Sequence, residues 1–110
     1  MLETITRLTA DTLPGYIGSG PMRLVLVFRQ RCPNCQVLMA VIDKCRPAWP
    51  ELDVAGINAD ESPGLLEQLA VSRVPTILLY RNGELSVRRT GVMSPSELRV
   101  LVASIVAPQP

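Results

Sequence analysis

The sequence predicts an α/β domain, a mixed central sheet with helices on both faces. Three observations carry that expectation. Residues 24–28 are continuously apolar, and 76–80 nearly so, as in strands buried on both faces. Stretches of helical period alternate with such runs, and β-α-β alternation implies parallel pairing through crossovers. Asn82-Gly83 then separates two strand-like segments, the signal of an antiparallel hairpin whose turn needs positive φ at both central residues. The chain has 110 residues, 47% of them apolar by type, which suits one domain with a real core. The domain is expected over 1–107, with 108–110 as a short tail.

Taken in order, 4–8 reads as a modest first strand. A short helix fits within 11–19, weakened by Pro14, Gly15, Gly18 and Gly20. The strand at 24–28 hands over to a helix from Pro33 to about Cys45, where Leu38, Val41, Ile42 and Cys45 follow an i, i+3, i+4, i+7 stripe. Pro47 is expected to stop it. A third strand covers 54–59. Ser62 as cap and Pro63 in the first turn open a helix carrying Leu65, Leu66 and Leu69. After the strand at 76–80 and the hairpin, 84–89 alternates in period two, with Leu85 and Val87 expected on one face. Ser94-Pro95-Ser96-Glu97 has the form of a capping box and opens a last helix with Leu98, Leu101, Val102 and Ile105 inward. The resulting order is β-α-β-α-β-α-β-β-α, and there is no internal repeat.

Composition excludes several function classes. Eleven basic residues stand against ten acidic ones, a net charge of +1, and only 4% of residues are aromatic. That supplies neither the basic stripe nor the stacking platforms of a nucleic-acid binder. There is no histidine, so a Ser-His-Asp triad, a Cys-His pair and a His-ligated metal are out. The first residues lack a basic region followed by an apolar one, and the longest apolar run falls far short of the roughly 18–20 residues that span a bilayer. The expectation is a cytoplasmic protein with reduced thiols and no membrane contact. Three cysteines, an odd number, do not make a disulfide-stapled scaffold.

Those cysteines carry the chemistry. Cys32-Pro33-Asn34-Cys35 sits where a strand passes into a helix. Residues three apart on a helix lie on one face with Cβ atoms about 5–6 Å apart, close to disulfide geometry. Pro33 suits the first helical position, which leaves Cys32 at the N-cap beside unpaired N–H groups that favour a thiolate. Arg29 and Arg31 would add to that effect if their side chains turn toward it. Cys35, a turn inward, should be the sheltered partner of a thiol–disulfide exchange unit. As half of a zinc site the pair would need two more ligands, and Cys45 supplies at most one. A redox pair is therefore expected and no metal, with an inert pair as the remaining alternative. Cys45 lies about 15 Å beyond Cys35 along the same helix and on its apolar stripe. It is expected to be a buried core thiol, the other reading being an intermolecular or regulatory one.

The chain resembles the thioredoxin family over nearly its whole length. The resemblance rests on 24–28 leading into Cys32-x-x-Cys35, on Asn58-Ala59-Asp60, on Val74-Pro75-Thr76 before an apolar strand, on Arg81-Asn82-Gly83-Glu84, and on Gly91 ahead of the last helix. It implies a thioredoxin fold with five strands in the order 1-3-2-4-5 and a cis Pro75 packed against the active-site sulfurs. It implies that Cys32 attacks a substrate disulfide and that Cys35 resolves the mixed disulfide. The Val74 backbone would pair with the substrate, and Gly91 would leave room for it. Protein disulfides as substrates, a reductase as electron donor and a monomeric state follow from the same resemblance. No bound cofactor is required, because the cysteine pair is the redox centre. An apolar ring of Pro33, Val74, Pro75, Val92 and Met93 would dock extended substrate.

The departures from the family pattern are specific. Arg31 replaces the Trp before the first cysteine, Phe28 the Trp upstream, and Pro33-Asn34 the usual Gly-Pro. Leu26 replaces a buried Asp and Gly56 the Lys that faces it; losing both together is chemically consistent, since either alone would be a costly buried charge. Ala40 replaces the proline that kinks the active-site helix. These losses keep a rival open, a non-catalytic or regulatory interaction module in a larger assembly. A metal or iron–sulfur carrier ligated between two chains is the third reading.

Overall fold

Five strands form one sheet, ordered 1-3-2-4-5 by their place in the chain, in the computed structural model, which describes residues 5–106. Residue 4, the expected start of the first strand, and the tail at 108–110 lie outside the described residues. The strands are β1 (Thr6–Arg7), β2 (Met22–Phe28), β3 (Leu52–Asn58), β4 (Thr76–Arg81) and β5 (Glu84–Thr90). The helices are α1 (Leu13–Ile17), α2 (Pro33–Cys45), α3 (Pro63–Leu69) and α4 (Pro95–Val106). β1 and β2 run parallel to β3, whereas β4 is antiparallel to both β2 and β5. The parallel pairs are joined by helical crossovers and the antiparallel end by a hairpin, as the sequence order requires.

β2 is the centre of the sheet, and its alternation builds both layers. Leu24, Leu26 and Phe28 pack with α2 and α4, together with Ile77, Leu79 and Leu98. Val25 and Val27 pack on the opposite face with Leu13 of α1 and Leu65 of α3. A strand covered on both faces has no polar positions to spare, which is why residues 24–28 read as one apolar run. On the second face, the Tyr16 hydroxyl donates to Asp53 at 2.6 Å and ties α1 to β3. Burial, then that bond to a carboxylate, holds the phenol far above its ordinary pKa.

Several boundaries differ from expectation. The first strand is only Thr6–Arg7, although the Leu8 N–H still donates to Gly56. The active-site helix is an exception: α2 ends at Cys45, as expected ahead of Pro47, and passes into a 3-10 turn, Arg46–Ala48, where an early proline sacrifices no hydrogen bond. β3 begins two residues before the expected position. The Ser62 side chain makes no cap bond, and its carbonyl accepts from Leu65 and Leu66 instead. Leu85 and Val87 do not share a face. A bulge shifts the register between Leu79 and Tyr80, so Val87 faces Leu79 while Leu85 faces Tyr80 and is 41% exposed.

Two local expectations are met in detail. Asn82 and Gly83 both have positive φ, 51° and 86°, as the hairpin requires. At α4, the Ser94 hydroxyl accepts from the Glu97 N–H at 3.2 Å, and the Glu97 carboxylate accepts from the Ser94 N–H at 3.0 Å. That backbone donor lowers the Glu97 carboxyl pKa, so its contribution is present at neutral pH and fades as pH falls through the carboxylate range. Ser94→Ala is expected to cost about 1 kcal/mol, read as a lower urea midpoint with an unchanged slope.

Candidate active site

β2 ends at Phe28, whose carbonyl accepts from Ala59 at 2.8 Å and so fixes the strand end against the turn after β3. The chain then reverses through Arg31, which has φ 59°. Cys32 follows in extended conformation as the N-cap of α2, with Pro33 as the first helical residue. The Cys35 N–H points back at the Cys32 sulfur at 3.2 Å. Cys32 and Cys35 form a disulfide, with Cα atoms 5.2 Å apart. Cys32 is half-buried and Cys35 fully buried, the asymmetry expected of an outer and an inner sulfur.

Beneath the pair the protein is apolar. Cys35 lies in a cluster with Leu26, Phe28, Leu38, Met39, Ile77 and Met93. Leu26 is paired with Gly56 across the β2–β3 ladder. A Cβ added to Gly56 would come within 2.5 Å of Ile5 Cδ1 and 2.8 Å of Phe28 Cε1, so those side chains fill the place a residue there would need. Among the described residues the buried polar side chains are Asn58 and Thr76. Asn58 accepts from the Asp60 N–H; the Thr76 hydroxyl donates to the Arg73 carbonyl and sits 3.0 Å from that of Thr90. Among the described residues no buried carboxylate attends the sulfurs.

The second wall of the site is the start of β4. The Val74–Pro75 bond is cis and Pro75 is buried. Half-buried Val74 packs against the same cluster as Cys32, and its main-chain N–H and C=O pair with nothing among the described residues. Gly91 donates to the Pro75 carbonyl at 2.9 Å with φ 99°. A Cβ there would meet nothing within 4 Å, so the backbone conformation rather than crowding favours glycine, and the space beside it is open.

Other expected positions separate. Pro33 and Asn34 are exposed beside the pair, and Val92 is 45% exposed. Met93 is 4% exposed and belongs to the core, and Pro75 is buried as well, so neither offers an exposed face to the docking ring. Arg29 does not turn toward Cys32; it pairs with Asp60 at 3.3 Å. Arg31 is exposed next to the outer cysteine. Cys45 is buried, its sulfur 3.9 Å from the Pro95 carbonyl, a core thiol as expected. Arg73, exposed two residues before Pro75, was not singled out by the sequence; a basic residue just ahead of Val-Pro was the available signal. Among the described residues no group of three or more His, Cys, Asp or Glu could hold a metal ion, and no helix is long and apolar enough to cross a membrane.

Comparison with known proteins gives a consistent result. The family model described as Thioredoxin matches residues 7–104. The chain is 29% identical over 93 residues to the thioredoxin of Chlamydia muridarum, covering 84% of this chain and 90% of that protein. Thioredoxin-1 of Saccharomyces cerevisiae is 24% identical over 96 residues, covering 87% and 92%. In structure, the chain superposes on oxidised mitochondrial thioredoxin 3 of Saccharomyces cerevisiae with a TM-score of 0.84 at 21% identity, covering 94% and 97%. Plasmodium falciparum thioredoxin gives 0.80 at 18%, covering 91% and 98%, so the fold is shared well beyond the reach of sequence identity.

Proposed function

This chain belongs to the thioredoxin family, and from that premise we propose that it is a thiol–disulfide oxidoreductase that reduces protein disulfides through Cys32 and Cys35. The observation that carries the reading is the placement of the pair: a half-buried cysteine at the N-cap of a helix with its bonding partner buried one turn inside. The free N–H groups and dipole of α2 favour thiolate at Cys32, and Arg31 beside it acts in the same direction.

In the reduced protein the Cys32 thiolate attacks one sulfur of the substrate disulfide, forming a mixed disulfide and releasing the other sulfur. Cys35 then attacks Cys32, closing the intramolecular bond and freeing the second substrate sulfur. Two electrons pass from the protein dithiol to the substrate. The proton lost by Cys35 equals the one gained by a departing substrate thiolate, so the balance needs no carboxylate. The unpaired main chain of Val74 offers an extended substrate both a donor and an acceptor, as in strand addition. Pro33 and Val92 give it apolar contact, and the open side of Gly91 gives it space. The electrons reside in the cysteine pair, so the reading calls for no bound cofactor. A reductase returns the pair to the dithiol, and the protein works as a cytoplasmic monomer.

Dithiothreitol-driven reduction of insulin tests this. The protein should shorten the lag before turbidity well below that of dithiothreitol alone, and protein reduced and then alkylated should lose the effect. Turbidity curves that coincide with the reductant alone would remove the enzyme reading and leave an interaction module.

A further inference from the structure

The charges around the disulfide are unevenly committed. Three carboxylates lie at this end of the sheet. Asp60 is paired with Arg29 at 3.3 Å, Glu61 with Arg7 at 3.0 Å, and Glu97 closes the cap of α4 in the field of Arg89. Arg31 and Arg73 are both exposed, and neither makes an ion pair with any described residue. Arg31 is bonded directly to the outer cysteine. Arg73 directly precedes Val74, whose main chain is unpaired and whose side chain packs against the same cluster as Cys32. Val27 of β2 is paired with Thr76 of β4, so the segments that follow β2 and precede β4 emerge side by side. One free guanidinium thus stands on each wall of the site.

We propose that Arg31 and Arg73 form a basic clamp that selects disulfides in acidic peptide segments, with carboxylates flanking the reacting cysteine. This rests on the reductase function proposed above and names its substrate class. A segment laid along Val74 passes Arg73 and brings its disulfide to Cys32, beside Arg31. A carboxylate on either side of the cysteine then meets a guanidinium whose geometry allows two parallel hydrogen bonds. The fork of donors is already unpaired, so no internal ion pair has to break. Opposite charge on a substrate raises its encounter rate, and like charge lowers it.

The test uses the full chain in catalytic amount with dithiothreitol as terminal reductant. Three matched peptides, each with one disulfide, carry Glu, Ser or Lys beside the cysteines. In each turnover the peptide disulfide becomes two thiols, the Cys32–Cys35 dithiol becomes a disulfide, and dithiothreitol reduces it again. After subtraction of the uncatalysed rate, kcat/KM should fall in the order Glu, Ser, Lys, with Glu over Lys by about tenfold at low salt. The ratio should approach one near 1 M salt, where screening acts within about 3 Å. Arg73→Glu should narrow or reverse it. Equal rates for the three peptides at low salt overturn the clamp while leaving the reductase standing, as does a Glu preference that survives Arg31→Glu and Arg73→Glu together. Rates no higher than with dithiothreitol alone overturn the reductase reading and the clamp with it.

Discussion

Cys32→Ser is expected to abolish catalysed disulfide reduction, and Cys35→Ser to stop the reaction halfway with the substrate covalently attached. The two outcomes differ because the sulfurs differ in position. Cys32 is the half-buried sulfur at the end of α2, so only it meets an incoming disulfide. Cys35 is sealed among apolar side chains and reaches only Cys32. Serine at 32 removes the nucleophile, and turnover falls to the rate of the reductant alone. Serine at 35 leaves the first displacement intact and removes the second, so a mixed disulfide at Cys32 accumulates toward one per protein. It is detected as a mass adduct or a non-reducing gel band that excess dithiothreitol releases. Cys45 gives no rescue, since it is buried and far along the helix. Accumulation of the adduct on a Cys32→Ser protein instead would reverse the assignment.

Leu26→Asp is the second large effect, a loss of about 3–5 kcal/mol at neutral pH. Leu26 is fully buried beside Cys35, and the opposing Gly56 has Ile5 and Phe28 where a counter-charge would stand. A carboxylate placed there has neither water nor a partner. Burial raises its pKa above the unfolded value near 3.9, so the folded state holds the proton over a pH range where the unfolded state has lost it. Stability of the variant relative to wild type therefore declines as pH rises from about 4 through the raised value, and the urea midpoint should be lower at pH 8 than at pH 5. Adding Gly56→Lys should not restore it, because the side chain has no room. A cost under about 1 kcal/mol at pH 8 would mean that water reaches the site.

Much of this molecule is legible in its residues alone. The run at 24–28, the stripe of α2, the Asn82-Gly83 turn and the Ser94–Glu97 box each have a local cause, and each appears in the fold. The cysteine pair was legible for the same reason, since its spacing and its place after a strand are local facts. The strand order 1-3-2-4-5 came from family resemblance, because pairing between distant segments leaves little local trace. The failures are tertiary. The bulge that turns Leu85 from Val87 is set by pairing with β4. Met93 reads as rim in the sequence and is core because it clusters with Ile77 of β4 and Leu98 of α4. Arg29 looked like a thiolate partner until the turn after β3 placed Asp60 beside it. No one-dimensional pattern places Arg73 on the wall of the site opposite Arg31.

The two margins of the sheet have a consequence for behaviour in concentrated solution. One border is β1, only two residues long; the other is β5, broken by its bulge and carrying Arg88 and Arg89. A neighbouring molecule seeking to extend the sheet finds too few rungs at one side and an irregular, cationic ladder at the other. Borders of this kind resist the runaway stacking that long, flat, apolar strands invite. The unpaired main chain of Val74 can then stay available at the site without the molecule as a whole becoming adhesive.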